Sequence, residues 1–155
     1  MSDKRLLVVY HSQTGGTRQM LDAVLRGAAD PDCGQPTLVL RAALQASAED
    51  VREAHGILLG TPENFGYMSG ALKDFFDRIY YPCLEHTRGL PFAMFIRGGN
   101  DGTGALGSIR RIVTGLGWRE VAPPVVFAGV LDETRLGECE QLGQTLAAGL
   151  TAGIF

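Results

Sequence analysis

Cysteine is scarce in this chain. Its 155 residues contain three, Cys33, Cys83 and Cys139, with no C-x-x-C pair among them. An odd count at these spacings argues against a disulfide framework and fits a reducing compartment, where small thiols are buried. Histidine is equally sparse, and His55 and His86 lack the H-x-x-H or carboxylate spacing of a metal site, so no metal is expected. No apolar run approaches the roughly 20 residues needed to span a bilayer. The opening "MSDKRLLVVYHS" lacks a signal peptide's long apolar region and goes straight into a strand, so a cytoplasmic location is expected. Charge of either sign is weak. A formal net charge of −3 argues against a nucleic-acid or anionic-membrane partner, and it is too small to mark an acidic docking surface. The single tryptophan, Trp118, lies late in the chain.

What is present is a repeating pattern. Near-continuous apolar runs occur at "LLVVY" 6–10, "TLVL" 37–40, "GILLG" 56–60, "FAMFI" 92–96 and "VVFAGV" 125–130. Runs without alternation suit strands buried on both faces, as in a parallel sheet. Helical patterns separate them. Met20, Val24 and Ala28 share one face, a short weak helix falls near 48–54, and Leu72, Phe75, Phe76, Ile79 and Tyr80 form a stripe at helical spacing. Ser69 reads as the cap of that third helix and Pro82 as its end. Leu106, Ile109, Val113 and Leu116 mark a fourth helix. Leu136, Cys139, Leu146 and Leu150 mark a fifth, with Asp132 as its cap. Alternating β and α elements imply right-handed crossovers and one doubly wound α/β domain, residues 1–155, with strand order 2-1-3-4-5. Ligands in such sheets sit at the carboxyl ends of the strands where the winding reverses. The informative loops are then "HSQTGGT", "TPENFGYMSG" and "RGGNDGTG".

In the first loop, Ser12, Thr14 and Thr17 offer hydroxyls, and Gly15 and Gly16 let the backbone curl its N–H groups inward toward a helix start. Together these make an anion nest suited to a phosphate; the competing reading is a plain turn with a hydroxyl cap. The loop has no lysine, so it is not a Walker A loop. Ser12 and Arg18 have the spacing of a tyrosine-phosphatase loop, but serine replaces the thiolate nucleophile. Strand 3 ends in "GTP", without the aspartate of a response-regulator receiver. What remains is a cradle of hydroxyls and amides with no paired cation. Arg18 reads as a solvent-facing helix residue.

Ser12-Gln13-Thr14-Gly15-Gly16-Thr17 resembles the T/S-x-T-G-x-T loop of the flavodoxin-like flavoproteins, which holds the 5′-phosphate of FMN. Pro62, Gly66, Met68 and Gly70 in "GTPENFGYMSG" are similar to the strand-3 loop of the NAD(P)H-dependent flavin and quinone reductases of that group, including WrbA-type proteins. The resemblance implies a flavodoxin-like three-layer α/β/α sandwich. It also implies that Thr61, Pro62, Glu63, Asn64, Phe65, Gly66 and Tyr67 line the isoalloxazine, and that Gly98, Gly99, Asn100 and Gly104 meet its pyrimidine side. The residues themselves suit a flat ring: Phe65 and Tyr67 can form walls, and Asn64 and Gly66 can meet a polar edge. Glu63 and Asp101 read as solvated. Gly102, Gly104 and Gly107 spell a G-x-G-x-x-G, but after the fourth strand, where the dinucleotide fingerprint does not belong. His11 reads as a strand-end residue beside the cradle.

By the same resemblance, the expected function is an FMN-dependent oxidoreductase moving electrons from NAD(P)H to a quinone, flavin or other small acceptor or redox protein. Such reductases are often homo-oligomers. No catalytic side chain is required, because the flavin carries the chemistry. The alternative is an electron-carrier flavodoxin, against which the mild charge and the missing loop tryptophan count. A farther reading is a phosphate-ligand domain without flavin.

Overall fold

The computed structural model describes residues 3–155. Its strands are β1 (Arg5–Tyr10), β2 (Thr37–Ala42), β3 (Gly56–Asn64), β4 (Tyr67–Met68), β5 (Pro91–Arg97), β6 (Arg119–Glu120) and β7 (Val125–Phe127). Its helices are α1 (Gly16–Ala28), α2 (Ala48–Glu53), α3 (Gly70–Leu84), α4 (Thr103–Leu116) and α5 (Glu133–Thr151), with a 3-10 turn at Pro31–Cys33. The sheet runs β2-β1-β3-β5, with β6 and β7 both on the outer side of β5 and every one of these pairings parallel. This is the expected winding, with β5 in the fourth place. The register sets Tyr10 opposite both Ala42 and Gly60, and Pro62 opposite Arg97, so the three informative loops leave one edge of the sheet together.

The near-continuous apolar runs are explained by two cores. Leu7, Val9, Ile57, Leu59, Phe92, Met94 and Ile96 face a core shared with Phe75 and Ile79 of α3 and Ile109 and Val113 of α4. Leu6, Val8, Leu58, Ala93 and Phe95 point the other way, onto Met20 and Val24 of α1 and Leu146 and Leu150 of α5. Alternate residues therefore serve opposite layers, and neither face of the sheet can be polar. Helices α1 and α5 approach closely: a Cβ at Gly27 would lie 1.8 Å from the Glu140 carbonyl oxygen, and one at Gly143 would lie 2.0 Å from that of Val24.

Local signals decide most boundaries. Ser47 and Asp50 form a reciprocal capping box on α2. Ser69 caps α3 by accepting from the Leu72 amide, and Asp132 caps α5 by accepting from that of Arg135. Three expectations need correction. Pro82 does not end α3, which continues to Leu84 because a proline in the last turn forfeits one backbone bond while buried Cys83 still packs. The run 125–130 is a strand only over Val125–Phe127; a separate two-residue strand, Arg119–Glu120, pairs with the start of β5, and Pro123-Pro124 interrupt the edge between them. The stretch after Gly60 is not an open loop: β3 continues to Asn64 and turns back through β4 as a hairpin.

Trp118 is buried between Phe76 and Phe92, and its Nε1 donates to Thr87 Oγ1 at 2.9 Å, at the end of β5 opposite the three loops. All three cysteines are unpaired, with Cys83 and Cys139 buried. Burial, helped by Glu138, pushes the Cys139 thiol up to about 11.

Candidate functional site

The strand-1 loop begins where the His11 amide donates to the Gly60 carbonyl at 3.0 Å, so β1 and β3 are still fastened together at the loop's root. Gly15 takes φ 97, a left-handed conformation that admits glycine without penalty, and the chain turns there into α1. Ser12 Oγ accepts from the Arg18 amide at 3.2 Å. Among the described residues, the amides of Gly16 and Thr17 in the same turn have no acceptor. The Thr17 hydroxyl has no partner either, although the residue is only 2% exposed. The first turn of α1 carries no acidic residue. Open amides, a sheltered hydroxyl and the positive end of a 13-residue helix form an anion cradle. Thr14 and Gln13 stay exposed at its rim.

Arg18 does not enter the cradle. It pairs with Asp22 at 3.3 Å and lies over the Tyr10 ring. A different cation lies against this turn: Arg97, at the end of β5. A Cβ added at Gly16 would lie 2.6 Å from Arg97 Nε, so the arginine stem crosses the first turn of α1. Its Nη1 donates to the Phe127 carbonyl at 3.3 Å. One signal for it was in the sequence: Arg97 stands two residues after Phe95, on the strand face that meets α1. His11 lies beside the loop with its Nδ1 buried and unpartnered.

The hairpin stands next to this cradle. Asn64 Nδ2 donates to Gln13 Oε1 at 3.0 Å, linking hairpin to loop. The buried Thr61 hydroxyl donates to the Pro62 carbonyl at 2.8 Å and accepts from the Ser69 amide at 3.0 Å. That hydroxyl closes the hairpin base. The turn itself has φ 53 at Phe65 and φ 69 at Gly66. Two successive positive values mark the hairpin turn that matches strand twist, and a bulky residue at the first of them is strained by about 1 kcal/mol or more. The Phe65 ring is fully exposed and Tyr67 is 41% exposed. A strained backbone presenting a bare phenyl ring is costly to the isolated chain and marks a surface for a partner or ligand.

Glu63 overturns the expectation that it is solvated. It is 9% exposed, and its carboxylate accepts four backbone N–H bonds. Oε1 takes those of Asn100 and Gly102 at 3.1 and 3.2 Å; Oε2 takes those of Gly104 and Ala105 at 3.2 and 3.4 Å. Burial pushes the carboxyl up, but donation from the four amides outweighs it and holds the group below the usual carboxylate range. The start of α4 therefore already has its anion. The G-x-G-x-x-G glycines have no free helix start to offer a pyrophosphate, and the Gly104 amide assigned to a ring edge is engaged by Glu63. Gly104 serves another purpose: a Cβ there would lie 1.9 Å from the Gly66 carbonyl oxygen, so its absence lets α4 pass directly beneath the hairpin turn. Gly98 donates to the Phe127 carbonyl at 2.9 Å. Among the described residues the Gly99 amide has no acceptor, and the residue is exposed beside Asn100. Asp101 is exposed, and the Thr103 amide and hydroxyl bonded to it hold its carboxyl low.

The predicted residues of all three loops thus meet at one sheet edge, tied by Gln13–Asn64 and by Glu63 to the β5 loop. The cradle can take a terminal phosphate. The hairpin's aromatic side and the open Gly99 amide can take a flat heteroaromatic ring.

This chain is similar to a flavodoxin of Aquifex aeolicus, 35% identical over 75 residues, which cover 48% of this chain and 40% of that one. It is also similar to an NAD(P)H dehydrogenase (quinone) of Acidithiobacillus ferrooxidans, 34% identical over 92 residues, covering 48% of this chain and 46% of that one. The matched stretches thus span less than half the length of these relatives. Among solved structures, a flavodoxin from the domain Archaea superposes with a TM-score of 0.81 at 21% identity, over 94% of this chain and 98% of the other, which establishes a flavodoxin-like fold. The family model described as NADPH-dependent FMN reductase matches residues 19–131, from the first turn of α1 to just before α5, and on that match the chain belongs to the NADPH-dependent FMN reductase family.

Proposed function

We propose that this chain binds FMN at the carboxyl edge of its sheet and moves electrons from NAD(P)H through it to a small acceptor such as a quinone or a second flavin. The carrying observation is the start of α1, where two amides and the hydroxyl of Thr17, a residue only 2% exposed, stand without partners in a turn that contains no acid. A phosphate is the group that such a cradle suits. Family membership supports the choice of flavin over other phosphate ligands.

In this reading Ser12, Thr14, Gly15, Gly16 and Thr17 hold the phosphate, and Gln13 steadies the loop against Asn64. Pro62, Phe65, Gly66 and Tyr67 offer one wall for the ring, and the Gly99 amide and the Asn100 side chain meet its polar edge, while buried Thr61 and Gly98 act from behind by fastening the hairpin base and the end of β5. Glu63 and Gly104 act beneath that surface by holding the hairpin and the β5 loop at a fixed separation. When bound, FMN supplies hydride acceptance and electron release. The chain's own work is to bind, orient and leave one ring face open.

The test is a titration of purified protein with FMN, followed by anaerobic NADH or NADPH. Saturable binding, then bleaching of the flavin band without an added reductase, is the expected result. Binding without bleaching would select a carrier of the flavodoxin type. Protein that is colourless and indifferent to FMN ends both readings.

A further inference from the structure

We propose that Arg97 is the cation of the cradle at the start of α1, and that it gives the site its preference for a phosphorylated flavin over the same ring system without the phosphate. The inference rests on the FMN reading above and adds to it a residue that the loop motif does not contain.

The pleat of β5 sends Ala93 and Phe95 into the core beneath α1 and α5, and Arg97 follows on the same face. Its stem crosses Gly16, where an added Cβ would lie 2.6 Å from Nε and 3.0 Å from Cδ. A side chain at the first position of α1 would compete with the arginine for that space. One end of the guanidinium is fixed on the Phe127 carbonyl, at 3.3 Å.

Arg5, Arg18, Arg41, Lys73, Arg78 and Arg110 each pair with a carboxylate. Among the described residues Arg97 has no such partner, and neither do the exposed Arg26, Arg52, Arg88, Arg111 and Arg119 or the half-buried Arg135; what sets Arg97 apart is its place against the first turn of α1. A half-buried positive charge is held instead beside the positive end of a helix whose first turn contains no acid. Two sources of like sign converge there, which is unfavourable unless an anion sits between them. Thr17 points to the same anion independently, as a residue 2% exposed whose hydroxyl has no partner. Two amides, one hydroxyl and a guanidinium make a donor set for the terminal oxygens of a phosphomonoester dianion, and an arginine donates charge-assisted bonds that a neutral cradle lacks.

The experiment compares FMN with riboflavin, by fluorescence titration of the apoprotein, in wild type, Arg97→Gln and Arg97→Lys. Glutamine keeps a donor for the Phe127 carbonyl but removes the charge; lysine keeps the charge. Arg97→Gln is expected to weaken FMN by about tenfold or more and leave riboflavin nearly unchanged. Arg97→Lys is expected to restore a large part of the difference. Added salt should weaken FMN binding less in Arg97→Gln than in wild type, because one screened attraction is gone. If both flavins weaken equally in Arg97→Gln, or if neither does, the arginine only braces the β7 end and the proposal is wrong. Should the glutamine variant not fold, Arg97→Lys decides on its own. Retained FMN preference with a retained salt slope supports the proposal, and loss of both flavins alike refutes it. A wild type that binds neither flavin removes the FMN reading itself. A wild type that prefers FMN, with an unchanged ratio in Arg97→Gln, removes only the role of Arg97.

Discussion

Replacing Glu63 by glutamine should destabilise the folded chain by several kilocalories per mole, and only above the acidic range. The carboxylate offers two oxygens to four amides, the buried ones of Gly102 and Ala105 and the part-buried ones of Asn100 and Gly104. A glutamine of the same shape offers one oxygen. Its NH₂ group would face two of the four amides donor to donor. Each buried N–H left without an acceptor costs about 1–3 kcal/mol, and the start of α4 also loses its compensating negative charge. Two stranded amides give a loss of about 2–5 kcal/mol, against a total stability of about 5–15 kcal/mol for a domain. For a chain of this length that is a fall in Tm of about 10 °C.

The pH dependence supplies the check. Because the folded-state pKa of Glu63 lies below its ordinary value of 4.5, its contribution is fully present above that value and is lost as pH falls through the lowered folded value. Urea unfolding followed by circular dichroism, at about pH 7 and then stepwise into the acid range, should show a wide gap between wild type and Glu63→Gln. The gap should close below the ordinary glutamate range. A gap under about 1 kcal/mol at neutral pH, or one equally wide in acid, would refute the claim that an ionised carboxylate holds these amides.

The other perturbations probe the site's remaining parts. Thr17→Val keeps the volume of a buried residue and removes its free hydroxyl, so FMN affinity should fall by about fivefold or more while riboflavin affinity holds; equal loss on titration would exclude a phosphate contact. Phe65→Gly relieves a left-handed turn position and should stabilise the ligand-free chain by about 1 kcal/mol while weakening flavin binding; a variant less stable in urea would show that the ring packs rather than waits. Gly104→Ala brings a methyl group onto the Gly66 carbonyl, backbone against backbone, and should cost about 2 kcal/mol or more in chemical unfolding; an unchanged midpoint would mean that the hairpin moves freely above α4.

The winding of the sheet was legible because each strand serves two cores. Leu6 and Val8 face α1 and α5 while Leu7 and Val9 face the opposite layer, and such a strand can only be written as a continuous apolar run. Caps at Ser69 and Asp132 were legible for a similar reason, since one short-range bond decides each. The hairpin was not, because the register Asn64↔Tyr67 depends on a turn through Phe65 in a conformation that phenylalanine does not favour. Local preference alone would have left that stretch a loop. The two charges escaped for a different reason. Glu63 meets amides about 40 positions away, and Arg97 meets a glycine 81 positions before it; the pleat of β5 gives the face Arg97 takes but not the glycine it meets, and nothing near Glu63 announces its partners. Their arrangement is nonetheless complementary: the start of α4 is already neutralised by an acid from within the chain, and the start of α1 is left positive with an arginine added to it. Between the starts of α1 and α4, only that of α1 is left without an acid of the chain's own, and on the proposed FMN reading this sets the phosphate at α1 and the ring toward the hairpin.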